Sequence, residues 1–136
     1  MKRQLSRIFL ASAFLLPGAT AFAHHSFSAE FDINQPVTLK GVLSRFEWVN
    51  PHGWIYIDVK GVDGKVVTWA IETGGPNALL RRGIRRTDFP LGAELTIKGF
   101  RAKNGTPTAN ANTITLPDGR RLFAGSSGNG APDEEK

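Results

Sequence analysis

Pro36-Val37-Thr38-Leu39-Lys40-Gly41-Val42-Leu43-Ser44-Arg45-Phe46-Glu47-Trp48-Val49 is the stretch on which the fold depends. Val37, Leu39 and Leu43 share one strand parity, whereas Phe46 and Trp48 share the other. Side chains alternate faces along a strand, so a parity change within one strand marks a bulge or a sharp bend, with Gly41 and Ser44 as the places for it.

Working outward, Asn50-Pro51-His52-Gly53 reads as a turn, since proline presets one dihedral and glycine tolerates positive φ. Trp54 to Lys60 follows as a second strand, with Ile55, Ile57 and Val59 toward a core and Trp54, Tyr56 and Asp58 toward a wetter face. Asp63-Gly64 is a hairpin signal into strand three, Lys65 to Thr73. Pro76 and Gly83 suit the first position and the C-cap of one or two helical turns. Strand four, Ala93 to Arg101, and strand five, Ala109 to Leu116, are joined through Asn104-Gly105, and Asp118-Gly119 leads to a last short strand, Arg120 to Ala124. The order β-β-β-α-β-β predicts an all-β, OB-fold-like closed barrel over 36–124 with one short helix between strands three and four, with an SH3-like barrel and an open sandwich as the neighbouring alternatives.

Ahead of that segment, Lys2, Arg3 and Arg7 precede an apolar run, Ile8 to Leu16, and small residues stand at Ala21 and Ala23. This pattern predicts a cleaved signal peptide over 1–23, a polar arm over 24–35 and a periplasmic or secreted product. The apolar run is shorter than the roughly 20 residues a membrane span needs. From Gly125 onward the composition reads as a disordered tail, 125–136. The chain of 136 residues holds no cysteine, which excludes disulfides, thiol catalysis and thiolate metal sites. Without the three basic residues of 1–23, 14 basic residues face 12 acidic ones, a net charge of +2 against +5 for the whole chain. So mild a charge on an exported protein argues against nucleic acid as a partner.

The histidines carry the metal expectation. Cleavage after Ala23 makes His24 the first residue, so that its amine and ring nitrogen can chelate one ion. His52 or His25 then supplies a third nitrogen, and nitrogen ligands in near-planar geometry suit copper. Cleavage after Ala21 instead places His24 third, which also builds a square-planar copper or nickel site. Fully extended, the arm of about a dozen residues reaches roughly 40 Å, enough to fold back toward His52. The competing reading makes the histidines structural and assigns ligand or protein binding to an aromatic face of Trp48, Trp54, Tyr56 and Trp69 and to a basic cluster, Arg81, Arg82, Arg85 and Arg86. Glu30, Asp32, Glu47, Asp58 and Glu72 are not spaced for acid–base catalysis, so a binding module is favoured over an enzyme. Glu72, beside the Gly74-Gly75 turn, is the carboxylate of most interest, with an arginine ion pair as its default role.

HHSF with AEFD (His24 to Asp32), PVTLKG (Pro36 to Gly41), EWVNPHGWIYIDV (Glu47 to Val59), ETGGPNALLRRG (Glu72 to Gly83), GFRAKNG (Gly99 to Gly105) and DGRRLFAG (Asp118 to Gly125) span nearly the whole chain after 1–23. On these segments the sequence resembles a family of exported bacterial proteins of unknown function. The resemblance implies export and an OB-like barrel, and it implies no reaction.

Overall fold

A computed structural model describes residues 26–125, and its elements are mostly strands. The expected signal peptide, His24, His25 and the tail beyond Gly125 lie outside the described residues. Strands β1 (Phe31–Glu47), β2 (His52–Lys60) and β3 (Val66–Gly74) form an antiparallel meander. Helix α2 (Pro76–Arg81) and a short 3-10 turn (Arg86–Asp88) lead to β4 (Glu94–Ala102), β5 (Thr108–Thr115) and β6 (Arg121–Phe123), and a single helical turn, α1 (Phe27–Glu30), precedes β1.

The long strand does bend. Its first part, Phe31 to Val42, pairs with β4 and its last part, Val42 to Glu47, with β2; the register shifts between Leu43 and Arg45, which places the irregularity at Ser44. Antiparallel pairing joins β2 to β3, β4 to β5 and β5 to β6. A parallel pairing of β3 with β5 (Ala70 with Thr108, Ile71 with Ala109, Glu72 with Asn110) then closes a hydrogen-bonded ring of five strands in the order β1-β2-β3-β5-β4. Gly99 is needed at the β4–β5 crossing, because any Cβ there would overlap the Asn110 carbonyl. The register of that pair shifts at the same point.

The main core gathers Leu39, Leu43 and Phe46 with Ile55, Ile57, Ile71, Leu95, Ile97 and Ile114, and the connection after β3 adds Leu79, Ile84 and Phe89. Each fully buried aliphatic side chain contributes about 1.5–3 kcal/mol relative to exposure. A second, separate cluster holds Phe27, Phe31 and Ala102 with Phe100 against it. Most strand ends fall within two residues of expectation, and three differences bear on the site. The segment 24–35 is not all arm, since Phe27–Glu30 is helical and β1 starts at Phe31, where pairing with Ala102 and burial of the ring take hold. Strand β2 begins at His52 rather than Trp54, because His52 and Gly53 pair with Gly74 and Thr73. Gly125, expected in the tail, is buried, and Arg82 donates to its carbonyl.

Candidate functional site

Alternation along the strands sorts the side chains into two sets. Ile55, Ile57, Ile71 and Ala109 enter the main core, so Trp54, Tyr56, Glu72 and Asn110, one residue out of step, face away from it. Trp54, Glu72 and Asn110 lie in one row across β2, β3 and β5. That face is not left to solvent. The arm residues Phe27 and Phe31, 4% and 3% exposed, pack near it, with ring centroids 5.7 Å apart, and Phe27 meets Phe100 edge-on at 5.5 Å. The β4–β5 hairpin holds the arm through the Lys103 amide donating to the Glu30 carbonyl at 2.8 Å and the Lys103 Nζ donating to the Ser28 carbonyl at 2.7 Å.

Under this cover Glu72 is 6% exposed and Asn110 1% exposed. A carboxylate so buried needs polar partners. Asn110 Nδ2 donates to Glu72 Oε1 at 3.3 Å, and His52 Nδ1 lies 3.1 Å from the same oxygen. The second contact is at ion-pair distance but off the line of the ring N–H, so Nδ1 and Asn110 Oδ1 are both buried without an aligned hydrogen bond among the described residues. With Nδ1 turned to Glu72, Nε2 is the ring nitrogen left for a ligand. His52 is positioned by two abutting turns. Asn50-Pro51 is a cis peptide, and a Cβ on Gly75 would overlap the Pro51 carbonyl oxygen and come within 3.0 Å of Asn50 Oδ1, so the approach depends on glycine.

A cleft of about 260 Å³ opens here, walled by Ser26, Phe27 and Glu30 from the arm side and by Asn50, His52, Trp54 and Glu72 from β2, β3 and the turn before β2. A second cleft of about 450 Å³ adjoins it, sharing Glu30, Phe31 and Trp54 and adding Lys103, Asn104 and Thr108. Asp32, on the strand leading from the arm, is held below the usual carboxylate range by the Asn34 backbone N–H and then by the Gln35 side chain.

The expected site residues therefore divide. His52, Glu72 and Trp54 come together, and Glu72 takes a histidine and an amide rather than the arginine expected by default. The four aromatics do not form one face. Trp48 and Trp69 pack against the main core, Trp48 edge-on to Phe46 at 5.2 Å, and Arg101 sits 5.5 Å from the Trp69 ring. Tyr56 shares the face of Trp54, with the Arg45 guanidinium 3.7 Å over its ring. Arg81 is exposed at the end of α2, away from the cleft linings, while Arg82 lies 4.4 Å from the Phe123 ring. Among the described residues no group of three or more histidine, cysteine, aspartate or glutamate residues is gathered as a metal set, and His24 and His25 are outside them. Asn110 and the Phe27–Phe31 clamp are the residues that the sequence reading did not assign to the site. The four-residue spacing of Phe27 and Phe31 was the available signal for the clamp, and nothing local marks Asn110.

A small, mostly β protein with a cleft under an N-terminal arm is the class defined by these observations. The chain belongs to a family of unknown function, DUF6152, whose profile matches residues 13–111. Comparison with curated proteins and with solved structures returns no match.

Proposed function

We propose that this is an exported binding module of OB-fold type, in which the cleft at His52 completes a copper site begun by the histidines at the mature N-terminus. The carrying observation is that Ser26 and His52 line the same cleft. His25 is bonded to Ser26, and His24 is one residue further; two residues span at most about 7 Å. With Ser26 at the cleft wall, a tether this short supports delivery of the His24 amine and imidazole to His52 Nε2. Glu72 supports the same reading, because a carboxylate beside the far ring nitrogen is the usual outer partner of a metal-binding histidine. The OB assignment draws support from the five-strand ring, its parallel β3–β5 closure and the helix between β3 and β4.

Mass determination of the mature N-terminus, followed by titration of metal-free protein with Cu(II), tests the reading. A chain starting at His24 should bind one equivalent, and both His24→Ala and His52→Ala should weaken binding at least tenfold. Unchanged affinity in either variant removes the shared site. A second reading, a small organic ligand at the same place, is favoured by Trp54 being common to both clefts. Copper-independent quenching of Trp54 fluorescence by a bound ligand would support it.

A further inference from the structure

The connection between β3 and β4 has a use that the cleft does not explain. Leu79, Ile84 and Phe89, 1%, 1% and 5% exposed, pin it onto the main core. The side chains between and beyond those anchors point outward. Leu80 is 50% exposed and Leu91 71%, and Arg81, Arg85 and Arg86 are exposed as well. From Leu80 to Leu91 four arginines stand against one acid, Asp88. Asp88 is already engaged, accepting from the Arg85 backbone N–H at 2.8 Å and pairing with Arg120 at 3.1 Å. Arg82 folds back onto Phe123 and the Gly125 carbonyl. Arg81 and Arg86 form no ion pair with a described carboxylate and Arg85 has only the already engaged Asp88 nearby, and all three are flanked by two exposed leucines on a backbone fixed from beneath.

We infer that this connection is a docking surface for an anionic lipid bilayer. A single exposed leucine is ordinary, and an arginine run alone is ordinarily a solvated face. Exposed arginines bracketed by exposed leucines on one anchored segment match an interfacial site, in which basic groups meet lipid phosphates and short apolar side chains enter the headgroup boundary. Neither cleft is lined by these residues, so the surface is independent of the copper reading and leaves the cleft open. A free phosphate would use the arginines but gain nothing from Leu80 and Leu91. The bilayer uses both.

Co-sedimentation of the protein with phosphatidylglycerol/phosphatidylcholine vesicles, against pure phosphatidylcholine vesicles, is the test. Each arginine near an anionic surface should strengthen binding about fivefold, so Arg85→Ala should weaken it about fivefold and the triple variant of Arg81, Arg85 and Arg86 about a hundredfold. Leu80→Ser with Leu91→Ser should weaken binding several-fold while leaving its salt dependence unchanged. All these side chains are exposed, so the variants should melt with the wild type, and a melting scan verifies this. Equal binding to both vesicle types, no binding to either, or displacement by millimolar inorganic phosphate would overturn the proposal.

Discussion

Replacing Phe27 with alanine should release the arm while the five-strand ring stays folded. Phe27 is 4% exposed and belongs to the cluster of Phe31, Ala102 and Phe100, separate from the main core. Truncating a buried phenylalanine costs about 3–5 kcal/mol. The arm's other attachments include one more buried ring, the pairing of Phe31 with Ala102 and two hydrogen bonds from Lys103. A loss near 3 kcal/mol raises the undocked fraction more than a hundredfold, since each 1.4 kcal/mol is about a factor of ten. Hydrogen exchange reads this directly. The Lys103 amide, which donates to the Glu30 carbonyl, should lose about a hundredfold in protection, while the Ile55 and Ile57 amides on β2 keep theirs. Were the arm an integral part of the ring, the same energy would appear globally, lowering the melting temperature by about 12–24 °C for a domain of this size. Loss of protection at Ile55 and Ile57 together with Lys103, or retained protection at Lys103, would refute the claim that the arm docks as its own unit.

Three further outcomes follow from the geometry. Ile57→Ala, at a site 0% exposed in the main core, should cost about 2–5 kcal/mol and melt the ring cooperatively, in contrast to Phe27→Ala; a melting shift of only a degree or two would deny Ile57 its central place. Gly75→Ala should force apart the turns at Asn50-Pro51 and Gly74-Gly75, costing about 1–3 kcal/mol and moving His52 relative to Glu72; a crystal structure of the variant with both turns unshifted would contradict this. Asp88 is held below its ordinary range, first by the Arg85 backbone N–H and then by Arg120, with burial opposing them. A depressed carboxylate stabilises the fold above its unfolded pKa of about 3.9, and that contribution is lost as pH falls through the lower folded value. Wild type should therefore exceed Asp88→Asn in stability at neutral pH, and the gap should close in acid below about pH 4; a gap independent of pH would dismiss the Asp88 contacts as a stabilising term.

Much of this architecture is written locally. The parity switch between Leu43 and Phe46 marks the irregularity at Ser44, because alternation is a property of consecutive residues. The turns at Gly64 and Gly105 follow from glycines that tolerate positive φ, and Pro76 begins α2 as expected. The site was legible only in part. His52 and Glu72 stood out as chemistry-bearing residues next to turns, but their meeting depends on the β2–β3 register pairing His52 with Gly74. Asn110 joins them through a parallel pairing of strands 38 residues apart in sequence, for which no local pattern exists. The aromatic face failed as a group because Trp69 is one residue out of step with Glu72 and Ala70, and therefore turns to the core.

If the cleft at His52 and the mature N-terminus form one site, as proposed, electron paramagnetic resonance of Cu(II)-loaded mature protein should show coupling to three nitrogens, from the His24 amine, the His24 ring and the His52 ring. One of these couplings should be lost in His52→Ala. An identical spectrum in wild type and His52→Ala would contradict it.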